Sequence, residues 1–269
     1  MNYINNEQKL KALDDIECFV LDMDGTFNLG MDIIPGAMDF YNKTVSEGKR
    51  VMFLTNNSSR SRKRYVEKLN NMGCPAASED VYTSGMATYQ YVLREFPGKR
   101  VYLLGTEELK EEFTENGVNL VEDDPEVVVA GFDTSLDYDK LTKVCDFVRA
   151  GLPYIATHPD ANCPSETGLI PDLGAFMALI EVSAGRKADI IIGKPYEQII
   201  KGLMEMIKLP KNKIAICGDR LATDIATGVN SGVLSICVLT GATAEGDIET
   251  SDIKPDLVFG RLGDVADYL

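Results

Sequence analysis

Short apolar runs that end in polar turns alternate with helix-like segments along most of this chain, and this alternation strongly constrains its fold. The run from Ile16 to Leu21 is apolar enough to be buried on both faces, as in a strand of a parallel sheet. Runs at 50–55 and 213–217 have the same character, and each precedes a segment with helical periodicity. Such alternation predicts an α/β fold, with a doubly wound parallel sheet and helices on both faces.

The middle of the chain carries a second set of predicted strands, at 100–104, 127–130 and 154–157, with helices between them. The segment 82–186 contains 8 Lys and Arg against 18 Asp and Glu, which is −10 of the total net charge of −15. A composition shift of this size indicates a separate folding unit. We therefore predict a discontinuous core, 1–81 and 187–269, with an inserted α/β domain at 82–186.

Bulk composition excludes several classes of function. A net charge of −15 argues against binding to nucleic acid or to an anionic membrane surface. The apolar runs are too short to span a membrane, and the first residues lack the pattern of a secretory signal. The six cysteines show no Cys-x-x-Cys spacing, which argues against a zinc site and suits a reducing compartment. We expect a cytoplasmic protein.

The segment from Asp22 to Thr26 places two carboxylates directly after the first predicted strand. Ligands of open α/β sheets bind in the crevice beyond the carboxyl ends of the strands. Asp22 and Asp24 at that position suit a metal-assisted nucleophile with an acid/base partner. Ordinary Asp-Gly turn chemistry is the alternative, and this motif alone does not decide between the two.

A polar loop follows the second predicted strand. Thr55 ends that strand, and Asn56 and the residues after it open a helix. Their side chains and backbone N–H groups suit phosphoryl oxygens at a helix N-terminus. Simple N-capping by Ser58 or Ser59 is the competing explanation.

Two further segments add a cation and two acids at predicted strand ends. Lys194 lies in a Gly-Lys-Pro turn, where it either neutralises a transferring group or is an ordinary surface lysine. Asp219 ends another strand, and Asp224 lies in the next helical turn, where it also complements the helix dipole. Asp22, Asp219 and the carbonyl of Asp24 offer the hard oxygen ligands that Mg²⁺ prefers.

Taken in order, these segments resemble the haloacid dehalogenase-like (HAD) superfamily. The motifs are Asp-x-Asp-Gly-Thr at 22–26, the strand ending in Thr55, Gly-Lys-Pro at 193–195, and Gly-Asp-x-x-x-Thr-Asp at 218–224. The segment 55–60 and the insertion after the third strand look like its NagD-like phosphatase branch. The resemblance covers nearly the whole chain, and it implies a Rossmann-like HAD core with an α/β cap at 82–186.

The resemblance also implies roles for individual residues. Asp22 is expected to be the nucleophile that forms an aspartyl-phosphate, and Asp24 the general acid and later the general base. Lys194 is expected to balance charge on the phosphoryl group. The other expected site residues are Thr55, Asn56 and Asn57 for phosphate or substrate, with Asp22, Asp24 (through its carbonyl) and Asp219 as Mg²⁺ ligands, supported by Asp224.

The segments 157–160 and 168–174 resemble the substrate-specificity loop of the NagD-like branch. That branch commonly has Asn where this chain has His158, its only histidine. This departure leaves open whether His158 contacts substrate or is a loop residue that precedes a proline. Asp160, if it faces the substrate, favours a leaving group with hydroxyls or a positive charge.

These features predict a Mg²⁺-dependent phosphatase for small phosphorylated metabolites, of the sugar phosphate or nucleoside monophosphate type, with p-nitrophenyl phosphate as an in vitro substrate. A phosphotransferase or phosphomutase that uses the same aspartyl-phosphate remains an alternative. A non-catalytic phospho-acceptor, similar to a receiver domain, needs no insertion of this size. A binding-only protein is the third alternative. The oligomeric state, a homodimer included, stays open.

Overall fold

The computed structural model describes residue 5 and residues 7–165 and 168–269. The strands in this part of the chain are β1 (Cys18–Leu21), β2 (Asn28–Leu29), β3 (Asp32–Ile33), β4 (Arg50–Thr55), β5 (Val81–Thr83), β6 (Arg100–Leu104), β7 (Asn119–Leu120), β8 (Val127–Ala130), β9 (Tyr154–Ala156), β10 (Asn162–Ser165), β11 (Gly168–Pro171), β12 (Ile190–Ile191), β13 (Ile214–Gly218), β14 (Leu234–Val238) and β15 (Leu257–Phe259).

The helices of the same residues are α1 (Glu7–Asp15), α2 (Ala37–Ser46), α3 (Arg62–Asn71), α4 (Ser84–Glu95), α5 (Glu107–Glu115), α6 (Tyr138–Arg149), α7 (Leu173–Ala184), α8 (Glu197–Ile207), α9 (Ala226–Ser231), α10 (Glu245–Thr250) and α11 (Leu262–Val265). A π-helical turn, Leu221–Ile225, leads into α9. Short 3₁₀ turns lie at Ser78–Asp80, Lys211–Lys213 and Ala266–Tyr268. Across the described residues, no helix has both the length and the apolar character needed to cross a membrane.

The described chain forms two compact units. The first comprises the chain up to Thr55, Tyr65–Tyr82 and Lys194–Leu269, and the second comprises Asn56–Arg64 and Thr83–Gly193. This division differs from the predicted boundaries, because 56–64 goes with the second unit and the first unit resumes at Lys194 rather than at 187. The first unit resumes later than predicted because β12 pairs with β9 and therefore extends the sheet of the second unit.

The first unit is built around a six-stranded sheet with the order β15-β14-β13-β1-β4-β5. The pairs β1–β4, β1–β13, β13–β14 and β14–β15 are all parallel. All four residues of β1 are buried, as expected for a central strand covered on both faces. The chain passes from β1 outward to β4, and later returns to β13 on the other side of β1. The switch point of this sheet therefore lies between β1 and β13, where ligands of such folds bind.

The second unit has a five-stranded sheet with the order β12-β9-β8-β6-β7. Each neighbouring pair in it is parallel. Its apolar core includes β8, which is buried throughout, and one face of α6. The predicted α/β class, with parallel sheets in both parts of the chain, is confirmed.

Several short elements were not predicted from the sequence. They are the hairpins β2–β3 and β10–β11, the short strand β7 and the helices α1 and α10. Two-residue strands such as β2 and β3 are too short to show an alternating pattern, so their pairing depends on the turn between them.

A buried acid in the second unit leads us to predict how the stability of the fold depends on pH. Glu112 on α5 is buried, and its Oε1 accepts a hydrogen bond from the backbone N–H of Arg62 at 3.1 Å. Its Oε2 is buried and has no hydrogen-bond partner among the described residues. Burial raises the pKa of Glu112, and the Arg62 N–H only partly opposes this effect. The fold therefore favours the protonated acid.

A group with a raised pKa in the folded state stabilises the fold at low pH and loses that contribution as the pH rises. Glu112→Gln carries a side chain that is neutral at every pH. We expect its free energy of unfolding to equal that of the wild type near pH 4. At pH 8 it should have the larger free energy of unfolding, by about 1–3 kcal/mol. Urea unfolding at several pH values measures this difference. Glu111→Gln, at an exposed position of the same helix, is the control. A pH-independent effect of the Glu112 substitution would contradict the prediction.

Candidate active site

The site begins at the switch point of the first sheet. Leu21 of β1 pairs with Cys217 of β13, and the backbone N–H of Asp22 donates to the Cys217 carbonyl at 2.9 Å. Asp22 directly follows β1, and Asp219 directly follows β13. Because parallel neighbours end at the same edge of a sheet, the two carboxylates converge although they are far apart in sequence.

Lys194 joins two of the predicted acids. Its Nζ lies 2.5 Å from Asp22 Oδ1 and 2.6 Å from Asp224 Oδ1. The lysine is 3% exposed, so the alternative of a surface lysine in a turn is wrong. Burial alone would lower the pKa of Lys194, but the carboxylates of Asp22 and Asp224 outweigh it and raise that pKa. The ammonium therefore stays charged inside the site.

The carboxylate of Asp219 is fixed by groups that lie close to it only in the folded chain. Thr26 Oγ1 donates to its Oδ1 at 3.2 Å, and the backbone N–H of Ala242 donates to its Oδ2 at 2.7 Å. Gly25 and Gly241 make this close packing feasible, because a Cβ at either position would lie 2.5 Å or less from Asp219 Oδ2. Gly25 also has a φ of +98°, a conformation that favours glycine.

The loop 240–243 was missed in the sequence analysis. Thr240 Oγ1 donates to the Gly25 carbonyl at 2.7 Å, which ties this loop to the turn after β1. A signal was present, because Thr-Gly-Ala-Thr follows the apolar strand β14 just as the other polar motifs follow their strands. Its residues carry no ionisable group, so the sequence alone does not distinguish this loop from an ordinary turn.

The charge balance of this cluster suits a divalent cation. One oxygen from each of Asp22, Asp219 and Asp224 lies within 4.8 Å of the others. Three carboxylates face one ammonium, so negative charge is in excess. Burial, together with Asp224 and Asp219, raises the pKa of Asp22 to about 7, although Lys194 opposes the shift. Burial and Asp224 also raise the pKa of Asp219. Hard oxygen ligands with uncompensated negative charge fit Mg²⁺ or Ca²⁺.

Asp24 takes no part in this three-carboxylate cluster. Its side chain is 52% exposed and contacts Asn28 and Lys68 instead. Its backbone carbonyl as a metal ligand stays a prediction. Thr55, also in the first unit, is buried at the end of β4, which neighbours β1 in the sheet.

The polar residues after Thr55 belong to the second unit. Asn56 Nδ2 donates to Asp160 Oδ2 at 3.1 Å, so two predicted substrate residues contact each other. Asn57 Oδ1 accepts hydrogen bonds from the backbone N–H and the Oγ–H of Ser59. Ser58 Oγ contacts Thr157 Oγ1 at 2.9 Å and accepts the N–H of Phe132, rather than capping a helix. The phosphate-binding roles of Asn56 and Asn57 stay predictions.

His158 is fully buried in the second unit. Its Nε2 lies 2.9 Å from Asp172 Oδ1, and its Nδ1 lies 2.9 Å from Thr157 Oγ1. A carboxylate only accepts hydrogen bonds, so Nε2 carries a proton. With both nitrogens engaged by protein groups, the geometry favours a loop-stabilising role over direct contact with substrate.

Comparison with known families adds to this geometry. A doubly wound core with carboxylates and a buried lysine at its switch point defines a class of α/β enzymes that act on anionic substrates. The family model for haloacid dehalogenase-like hydrolases matches residues 19–119, and a second model for HAD-hydrolase-like proteins matches 191–265. The chain belongs to the HAD-like hydrolases, in the NagD-like phosphatase branch, which confirms the resemblance seen in the sequence. It is a phosphoric monoester hydrolase of this family.

Three relatives illustrate the similarity. An acid sugar phosphatase of Staphylococcus aureus (strain USA300) is 35% identical over 249 residues, which cover 92% of this chain and 96% of the relative. The structure of a 4-nitrophenylphosphatase from Thermotoga maritima is 46% identical, with a TM-score of 0.92 and coverage of 95% and 98%. A glycerol phosphate phosphatase from Mycobacterium tuberculosis, solved in complex with calcium, is 28% identical, with a TM-score of 0.88 and coverage of 94% and 76%.

Proposed function

We propose that this chain is a Mg²⁺-dependent phosphatase for small phosphate monoesters that works through an aspartyl-phosphate on Asp22. The observation that carries the proposal is the buried Asp22–Lys194–Asp224 arrangement beside Asp219, at the switch point of the sheet. It combines a nucleophile, a fixed positive charge and surplus carboxylates. Phosphoryl transfer needs mainly positioning and charge stabilisation, which such a site supplies.

The residues divide the reaction into two halves. A carboxylate oxygen of Asp22 attacks phosphorus while the bond to the leaving oxygen breaks, and Asp24 gives its proton to that oxygen. Water then attacks phosphorus and Asp24 accepts its proton. The bond to Asp22 breaks, and inorganic phosphate is released. Lys194 holds a positive charge beside Asp22 throughout.

The metal fits the same residues. Asp22, Asp219 and the carbonyl of Asp24, supported by Asp224, would hold Mg²⁺. When bound, it supplies charge neutralisation at the phosphoryl oxygens. Without it, the surplus carboxylates would repel an anionic substrate.

The substrate class is proposed from the relatives and from the second unit. The Staphylococcus aureus relative is named for sugar phosphates, and the Mycobacterium tuberculosis relative for glycerol phosphate. We propose polyol or sugar phosphates first and nucleoside monophosphates second. We further propose that the second unit is the cap of this family and that its Asp160 contributes to leaving-group choice. A carboxylate there favours hydroxyl groups over a second phosphate.

The test is release of inorganic phosphate from a panel of p-nitrophenyl, sugar, glycerol and nucleoside monophosphates, with Mg²⁺ present. Products are analysed for free phosphate and for phosphorylated acceptors. Release of free phosphate from at least one metabolite supports the proposal. Quantitative transfer to an acceptor would indicate a phosphotransferase instead, and no turnover across the panel would overturn the enzymatic proposal.

Metal removal has two expected outcomes. Chelation should lower turnover by about 10²-fold or more, because several kcal/mol of charge stabilisation are lost, and Mg²⁺ should restore it. Mg²⁺ at about 100 times its Kd should also raise the free energy of unfolding by about 2.7 kcal/mol. Asp219→Asn should weaken both effects, whereas Asp252→Asn, at an exposed position, should leave both intact. Full turnover in chelator would contradict the metal requirement.

A further inference from the structure

The carboxyl group of Asp24 is held by three donors within the first unit. Asn28 Nδ2 donates to Asp24 Oδ1 at 2.8 Å, and the backbone N–H of Gly30 donates to the same oxygen at 3.3 Å. Lys68 Nζ lies 3.4 Å from both Oδ1 and Oδ2. An acid that is half exposed is thus fixed from three directions, mostly through one of its two oxygens.

Asn28 is the unusual member of this group. It is fully buried at the start of β2, and its Nδ2 also donates to the Gly30 carbonyl at 3.0 Å. Its Oδ1 is buried and has no hydrogen-bond partner among the described residues. Rotating the amide would place Oδ1 against two acceptors, so its orientation is fixed by the Gly30 carbonyl and Asp24.

Leaving a buried acceptor unpaired costs about 1–3 kcal/mol, and an apolar side chain of similar size would avoid that cost. The hydrogen bond to Asp24 is the contact that an apolar side chain cannot replace. Residues that lower the stability of the fold but hold a catalytic group in position are common at active sites.

We propose that Asn28 and Lys68 are positioning residues for Asp24, and this rests on the proposed role of Asp24 as the acid and base of the reaction. The N–H groups of Asn28 and Gly30 can only donate, so Asp24 Oδ1 stays an acceptor in both halves of the reaction. Asp24 Oδ2 receives the long contact from Lys68 at 3.4 Å but neither of the hydrogen bonds from Asn28 and Gly30, so it is the oxygen that passes a proton to the leaving group and later takes one from water. Lys68 adds a positive charge beside the same carboxyl.

The role predicts a dependence on the leaving group. When the phosphoryl group of a sugar or glycerol phosphate is transferred to Asp22, the sugar or glycerol leaves as an alkoxide, which needs a proton as its bond to phosphorus breaks. p-Nitrophenolate is a stable anion and needs much less help. A misplaced Asp24 should therefore slow the first half of the reaction far more for alkyl esters than for the aryl ester.

The experiment compares wild type with Asn28→Leu in single-turnover assays that follow release of the alcohol or phenol, with glycerol phosphate and p-nitrophenyl phosphate as probes. We expect about a tenfold or larger loss for the alkyl ester and less than about a threefold loss for the aryl ester. Asn28→Asp, which has the same shape but places a carboxylate beside Asp24, should lose more activity than Asn28→Leu. Lys68→Met should also slow the reaction of the alkyl ester more than that of the aryl ester.

Folding is measured separately. Asn28→Leu should be at least as stable as wild type in urea, since the unpaired buried acceptor is gone. Thr44→Val, which removes a buried hydroxyl that donates to the Phe40 carbonyl, is the control and should leave the alkyl-to-aryl ratio unchanged. Equal losses for both esters together with lower stability would show that Asn28 only supports the β2–β3 turn, and would overturn the proposal. An unchanged ratio in a stable Asn28→Leu protein would also overturn it. Activity that survives Asp22→Asn would instead refute the proposed function.

Discussion

Asp22→Asn should reduce turnover of p-nitrophenyl phosphate by about 10⁴-fold or more while the fold survives. Removing a nucleophile that forms a covalent intermediate eliminates the chemical route rather than weakening a contact. Asn keeps the size of the side chain but cannot form the acyl phosphate. Burial and the nearby acids raise the pKa of Asp22, which means that the fold disfavours its charge, so a neutral Asn is expected to be tolerated there. Lys194 also keeps its contact with Asp224 in the variant.

The measurement has three parts. Steady-state release of p-nitrophenol gives the loss of activity, and urea unfolding gives stability. Acid quenching followed by mass spectrometry detects the phosphoenzyme, which should appear in the wild type and be absent from the variant. Asp14→Asn, at an exposed position on α1, is the control for effects of purification and assay, and it should be fully active. Near-normal activity of Asp22→Asn, after identical purification, would exclude Asp22 as the nucleophile.

Lys194→Met should reduce both stability and activity. The substitution keeps much of the apolar stem but leaves Asp22 and Asp224 without the ammonium that lies 2.5 and 2.6 Å from them. Breaking a buried ion pair by removing one partner costs about 3–5 kcal/mol, because the remaining charge is uncompensated. Loss of a charge that stabilises the transition state should lower kcat by about 10²–10³-fold.

A matched control is available on the next helix. Lys201 forms an exposed i,i+4 pair with Glu197, and such pairs contribute only about 0.3–0.5 kcal/mol. Lys201→Met should therefore be nearly silent in urea unfolding and in turnover. Added Mg²⁺ should recover part of the stability lost in Lys194→Met, since it compensates the same carboxylates. A Lys194→Met protein as stable as wild type without metal would show that the ammonium is not needed to hold this cluster.

Much of the site was predictable because it depends on local pattern and on one general property of parallel sheets. Asp22 and Asp219 directly follow buried strands, and Lys194 follows the apolar run 190–192. Strand ends are visible in a single sequence as apolar runs that stop. Parallel strands present their carboxyl ends at one edge, so residues after different strands are expected to converge. Asp22 and Asp219 follow neighbouring strands of one sheet and have carboxylate oxygens within 4.8 Å of each other, which agrees with that expectation. Lys194 follows β12 of the other sheet, so its contacts with Asp22 and Asp224 do not follow from this rule.

Other features could not be predicted from the sequence, for physical reasons. Thr26 and Asp219 are 193 residues apart, and their contact depends on β13 lying next to β1 rather than on either local sequence. The pairing of β12 with β9 was missed because an apolar run shows that a strand exists but not which sheet it joins. The sequence does not decide between the two roles of His158, since burial of a lone polar residue follows from packing that a sequence pattern does not encode.

The sequence alone determined the α/β class, the alternation of strands and helices, and the charged residues that close the strands, because each of these follows from short-range periodicity and residue chemistry. Tertiary structure alone decided the order of the strands, the approach of Gly241 and Ala242 to Asp219, and the hold of Asn28 on Asp24. Those contacts depend on distances between segments that are remote along the chain or on the orientation of a single buried amide. Such geometry is set by the packing of the whole first unit.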